Sequence, residues 1–236
     1  MSEFPTRSFA GATAVDTRER ERAFIRSVYG WMFGGLMITA AAALWVVSSK
    51  PMQALILGNR MVFIGLIIAE FAMVMFLSFR VMKLTPGVAA GLFFGYSLLN
   101  GLTLSSIFFV YQIGSVVTAF VVAAGMFGAM AVYGLVTKKD LTSWGSFFFM
   151  GLIGIVLCAV VNLFLRSDGL SFVISVVGVF VFLGLTAYDN QKLKAMSTAT
   201  GPQVTNLAVI GALTLYLDFI NIFLFLLRLF GGGRKS

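Results

Sequence analysis

The stretch GLTAYDNQKLKAM, residues 184–196, closes a long apolar run on Asp189 and then turns basic. Further on, LTLYLDFINIFLFLLRLF, residues 213–230, holds Asp218 inside a still longer apolar run. Both segments are apolar enough to sit in lipid, where a carboxylate at mid-bilayer costs about 2.5–3.5 kcal/mol on insertion scales. An acid in such a place must face the protein interior or water. Around these two stretches the composition agrees: of 236 residues 59% are hydrophobic and 11% charged, with a mean hydropathy of +0.98. A soluble domain does not tolerate that balance, so the sequence reads as an all-α integral membrane protein.

A helix needs about 20 apolar residues to cross roughly 30 Å of hydrocarbon at about 1.5 Å per residue. Seven runs satisfy this, at 28–48, 61–79, 87–110, 113–136, 144–165, 170–189 and 205–230. Most connections between them carry breakers, among them KLTPG, RSDG and STATGPQ; VYQIG is weak as a turn, which points to a tight hairpin between the third and fourth runs. The expected organisation is a tail at 1–27 with a surface helix, a seven-helix domain at 28–230 and a short C-terminal tail at 231–236. A cleaved leader is disfavoured, because the tail is long and acidic in part and the first apolar run continues past its alanines.

Basic residues set the expected orientation. A cytoplasmic N-terminus puts Arg18, Arg20, Arg22, Arg26, Arg80, Lys83, Lys138, Lys139, Lys192 and Lys194 inside, against Lys50, Arg60, Arg166, Arg234 and Lys235 outside. Seven crossings then leave the C-terminus on the periplasmic face. Arg234 and Lys235 pull the other way, so six spans with a re-entrant last segment stand as an alternative. Tyr29, Trp31, Trp45, Tyr111 and Trp144 fall near expected helix ends, where amphipathic rings prefer the interface. Gly30 with Gly34 and Gly91 with Gly95 offer small-residue packing faces.

Inventory removes several functions. Histidine is absent and Cys158 is the single cysteine, which excludes His-based triads, haem ligation, zinc centres and intrachain disulfides. Cys158, in GIVLCAVVNLF, reads as a small packing residue. No cofactor is expected, and no nucleophile-and-base constellation suggests an enzyme. The net charge of +8 lies at the ends of apolar runs, so it marks topology and contact with membrane lipid headgroups, with no nucleic-acid partner expected.

Three of the nine acids lie in apolar runs: Glu70, Asp189 and Asp218. Glu70 sits ten residues before Arg80, roughly 15 Å deep if Arg80 marks the cytoplasmic edge. The two are not neighbours on one helix face. If the sixth helix extends to Met196, Asp189 lies about 10 Å inside its end, and Asp218 is close to mid-membrane on the next, antiparallel helix. They can share one polar pocket. Two carboxyls in hydrogen-bond reach cannot both ionise cheaply, so the pair would titrate as a unit, and proton loss would push the helices apart. The same oxygens would transiently accept a hard cation such as Ca²⁺. The plainer reading makes Asp189 an interfacial residue paired with Lys192 or Lys194. Asn100, Thr103, Asn162 and Asn221 are expected to make interhelical hydrogen bonds.

The motifs LTAYDNQKLK and LYLDFINIFLFLLRLF, with AEFAMVMFLS in the second run and NGLTLSSIF in the third, make the sequence resemble the bacterial branch of the Bax inhibitor-1 family over about residues 20–231. The resemblance implies seven transmembrane helices with the last one central and wrapped by the other six. It also implies a pH-sensitive cation leak, chiefly for Ca²⁺, controlled by an aspartate pair that maps onto Asp189 and Asp218. Arg80 is then the basic residue of the closed-state hydrogen bonding, and Glu70 the acid along the cation path. The expected function is a passive, proton-gated leak in a bacterial inner membrane. A second reading, also implied by the resemblance, is a regulator that binds and restrains a membrane-bound AAA protease through its tail. A proton-coupled transporter would use the same acids as a relay, with a defined substrate.

Overall fold

The computed structural model describes residues 8–199, 201 and 203–231, with side chains from Thr17 onward. The elements are α1 (Ser8–Ser48), α2 (Lys50–Ile56), α3 (Arg60–Arg80) with a 3-10 turn at Val81–Lys83, α4 (Pro86–Leu104), α5 (Ile107–Val110), α6 (Ile113–Val136), α7 (Thr142–Leu165), α8 (Asp168–Met196) and α9 (Val204–Phe230). Among the described residues, seven helical segments are long and apolar enough to cross a membrane: Thr17–Ser48, Arg60–Lys83, Pro86–Val110, Ile113–Val136, Thr142–Leu165, Asp168–Met196 and Val204–Phe230. Each contains one of the seven runs expected from sequence. The expected C-terminal tail, with Arg234 and Lys235, lies outside the described residues apart from Gly231.

Local chemistry explains the boundaries. Asn59 caps α3 by accepting from the Met61 and Val62 amides at 3.0 and 3.3 Å. Pro86 opens α4 at the position where a missing amide hydrogen costs nothing. The third span breaks after Leu104, where Ser105 and Ser106 turn their hydroxyls back onto the Leu102 and Thr103 carbonyls. Only Tyr111 and Gln112 then separate α5 from α6, the tight hairpin that VYQIG suggested. Arg166 ends α7 in the left-handed conformation (φ 50°), and Ser167 caps α8 through the Leu170 amide at 3.3 Å.

The helices differ sharply in burial. In its most apolar window α9 is 72% buried and α8 61%, against 6% for both α3 and α7. The last helix is therefore the centre of the bundle. It packs directly on α1, α4, α6 and α8 and on the turn after α3, while α3 leans on α4 and α7 leans on α8 at the periphery. Apolar side chains such as Phe71, Phe79, Phe164 and Phe180 point outward, as lipid contact requires. The last segment is one unbroken helix of 27 residues, long enough to cross, rather than a re-entrant hairpin.

Close approach of backbones occurs at glycines other than the expected pairs. A Cβ at Gly101 would strike the Thr39 carbonyl of α1, and one at Gly134 the Ala187 carbonyl of α8. Gly30 and Gly91 face open space, and Gly34 and Gly95 meet only the side chains of Phe94 and Met73. Four-residue spacing alone did not say which face of each helix meets a neighbour. Cys158 is another correction: it is exposed on α7, a peripheral helix whose main packing partner among the described residues is α8.

Candidate functional site

Antiparallel packing of α8 on α9 sets the first feature. Leu193 lies against Gly211, and Phe182 against Phe225 with ring centroids 5.9 Å apart. Between those contacts the same register brings Asp189 to Asp218. Their carboxyl groups meet across the α8–α9 interface, close enough for each to act on the other. Asp218 is buried at 4% exposure, and its Oδ2 has no hydrogen-bond partner among the described residues. Asp189 is half-buried, and the Lys192 charge acts on it from one turn further along α8. Neither lysine forms an ion pair with Asp189 among the described residues. Lys194 instead reaches Glu21 of α1 at 3.9 Å and donates to the Leu135 carbonyl of α6 at 3.0 Å.

The pair borders a cavity of about 770 Å³ between α7, α8 and α9. Gly145, Phe149 and Leu152 form one wall, Phe182 and Leu185 the floor, and Thr214, Leu217 and Asn221 the far wall, with Lys192 at one end. The cavity exists because α7 touches α8 without closing on α9. Asn221 does not bridge helices as expected: it donates to the Leu217 carbonyl of its own helix at 2.8 Å.

A second polar layer lies elsewhere around α9. Glu70 accepts from Thr103 Oγ1 at 2.7 Å and from Asn100 Nδ2 at 3.2 Å. Asn100 Oδ1 accepts from the Tyr216 hydroxyl at 3.0 Å, and that hydroxyl meets Thr39 Oγ1 at 2.7 Å. With the Tyr216 hydrogen given to Asn100, the Thr39 hydroxyl is the donor in that contact, and the Ser97 carbonyl at 2.8 Å is a second acceptor within its reach. One chain of hydrogen bonds thus ties the half-buried acid of α3 to α4, the central helix and α1. Asn100 and Thr103 do make the expected interhelical bonds, as does Asn162 to Ser171 at 2.7 Å.

Arg80 belongs to neither layer. It is exposed at the end of α3 and makes no hydrogen bond or ion pair among the described residues. Glu70 is not among the contacts of the aspartate pair; its side-chain partners are Asn100 and Thr103.

Asn190 and Gln191 carried no role in the sequence reading, and Tyr29 was read only as an interfacial ring. Tyr29 of α1 donates to Asn190 Oδ1 at 2.6 Å. Gln191 clamps the α6–α7 loop, accepting from the Leu141 amide at 2.8 Å and donating to the Lys139 carbonyl at 2.7 Å. Consecutive residues of YDNQKLK therefore each hold a different neighbour of α8. Their signal was present as four polar residues after a span, which reads equally well as a solvated helix end. Among the described residues no group of three or more His, Cys, Asp or Glu could hold a metal. A resident Ca²⁺ would take about 6–8 oxygen ligands, more than the two carboxyls with Thr214 and Asn221 provide.

A seven-helix bundle whose most buried helix carries half of an intramembrane carboxyl pair defines a multi-pass membrane protein with an ionisable centre. The chain matches the family model described as "Inhibitor of apoptosis-promoting Bax1" over residues 21–235 and belongs to that family, the Bax inhibitor-1 proteins. It is 48% identical over 238 residues to the "Inner membrane protein YbhL" of Escherichia coli (strain K12), covering 99% of this chain and 100% of the relative. An uncharacterized protein of Deinococcus radiodurans is 44% identical over 224 residues, covering 94% of this chain and 95% of its own length. One from Borreliella burgdorferi is 44% identical over 216 residues, with 90% and 93% covered.

Proposed function

We propose that this protein is a pH-sensitive passive cation leak, conducting Ca²⁺ across a bacterial inner membrane. The observation that carries the reading is the contact between the Asp189 and Asp218 carboxyls deep in the bundle, with Asp218 Oδ2 unpartnered beside a cavity. A shared proton holds α8 to α9. Losing it leaves two like charges in a poorly solvated place, and separation of the helices relieves that repulsion. Low pH therefore favours the closed form and higher pH the open one. The freed carboxylates and the Asn221 and Thr214 side chains then offer oxygen to a passing cation, with Glu70 as an acid further along the path. Localisation follows the name of the Escherichia coli relative, and the basic-residue bias puts the N-terminus in the cytoplasm and the C-terminus in the periplasm.

The test is Ca²⁺ flux into proteoliposomes across a pH series, wild type against Asp218→Asn. Flux that rises with pH in the wild type and loses that dependence in the variant supports the reading. Flux indifferent to pH, or unchanged by the substitution, removes it. The alternative of a regulator binding a membrane AAA protease draws on one feature, the exposed first turns of the α1 span at Thr17–Arg20. Deleting residues 1–20 would abolish co-purification with the protease if that reading holds.

A further inference from the structure

α9 is the most buried helix, yet one stripe of it is only half-buried, running through Ile210, Thr214, Leu217, Asn221 and Leu224 at helical spacing. Its middle part, Thr214, Leu217 and Asn221, is the wall of the cavity that faces α7 across the gap. The opening is lateral: the facing residues of α7, Phe149 and Met150, are 57% and 64% exposed and point where lipid lies. From Thr214 to Asn221 the cavity follows seven residues of α9, about 10 Å along the bilayer normal. Lys192, exposed, closes its shallow end four residues, about 6 Å, before the end of α8.

We infer that this groove is a binding site for one anionic phospholipid, with an acyl chain lying between α7 and α9 and the phosphate on Lys192. Three observations converge on that occupant. The depth range begins near the interface and ends at mid-membrane, as a glycerophospholipid chain does. The walls are apolar and aromatic over most of their length, through Phe149, Leu152, Leu185 and Leu217. The one charged group at the shallow end is positive, within a face that also carries Lys138, Lys139 and Lys194. The volume of about 770 Å³ is that of a pocket rather than a crevice between side chains.

Occupancy has a local consequence. The chain roofs the cavity over Asp218, keeping bulk water from its lateral side. A phosphate on Lys192 offsets the positive charge that acts on Asp189, so headgroup charge reaches the carboxyl pair through one side chain. The site requires no ion flux, so its test is independent of the proposed leak.

The experiment is native mass spectrometry of the full chain released from detergent micelles and titrated with phosphatidylglycerol or phosphatidylcholine of matched chains. The first lipid should bind about fivefold more tightly as phosphatidylglycerol, the worth of one basic residue at an anionic surface. Lys192→Gln should erase the preference while keeping the first lipid. Ser146→Phe, at an exposed residue of the α7 wall, should remove that lipid for both headgroups, and Met150→Trp gives a second filling variant should the first not fold. Equal affinity for the two lipids in the wild type, or a first lipid untouched by Lys192→Gln and both filling variants, overturns the site. A dimer that excludes lipid and is blocked by Ser146→Phe overturns it too, making a second copy the occupant.

Discussion

Replacing Tyr216 by Phe removes one oxygen from the middle of the bundle and leaves the ring, which packs edge-on against Phe93 and Tyr96 at 5.9 and 5.8 Å. The hydroxyl makes two side-chain hydrogen bonds, to Asn100 at 3.0 Å and with Thr39 at 2.7 Å. Hydrogen bonds between membrane helices average about 0.6 kcal/mol each in double-mutant cycles. Leaving a buried acceptor unmet costs a further amount, about 1–3 kcal/mol in water-soluble proteins. Asn100 Oδ1 is such an acceptor, whereas Thr39 retains the Ser97 carbonyl. The expected loss is therefore about 2–4 kcal/mol. Reversible unfolding in mixed micelles measures it, and a double-mutant cycle with Thr39→Val isolates the shared bond, with an expected coupling of about 0.6 kcal/mol. A Tyr216→Phe protein within about 0.3 kcal/mol of wild type, with no coupling, would show that the relay contributes nothing to holding α1, α4 and α9 together.

Other outcomes follow from the same geometry. Gly134→Ala should cost about 1–3 kcal/mol, because its Cβ meets the Ala187 backbone; Gly128→Ala, in open space, should stabilise by about 0.5–1 kcal/mol, and equal effects would deny the close approach. Gln191→Ala should speed amide exchange at residues 139–141 and leave the remaining spans unchanged, since its two bonds hold only that loop. Asp140, in the loop before α7, accepts the Thr142 hydroxyl at 2.6 Å and amide at 2.9 Å, and these hold its carboxyl below the usual 3.8. Its stabilising effect is thus present above 3.8 and lost as pH falls through the depressed value. Carboxyl NMR should place the midpoint below 3.8, and Thr142→Val should raise it.

Hydropathy was enough to find the spans, because lipid forces each crossing to be long, apolar and helical. The aspartate pair was legible for the same reason: an acid in such a run has few places to go, and consecutive antiparallel helices put two of them level. What hydropathy does not encode is rotation of each helix about its axis. Cys158 therefore read as packing and is exposed, and the glycine pairs of α1 and α4 read as contacts that Gly101 and Gly134 make instead. Arg80 sat at a plausible depth, but its side chain is exposed at the end of α3. Glu70 was recognised as an interior acid, while its partners on α4 and the link through Tyr216 depend on three helices meeting, which no local pattern records. The lateral cavity is equally invisible in sequence, since it is a space left by α7 standing off α9.

The most direct test of the central claim is Ca²⁺ flux in proteoliposomes from Asp189→Asn, Asp218→Asn and the double variant, each measured from acid to alkaline pH. If the two carboxyls act as one proton-sharing unit, either single substitution abolishes the pH response and the double variant adds nothing further. Independent, additive effects of the two substitutions, or a pH response that survives in the double variant, would contradict the account.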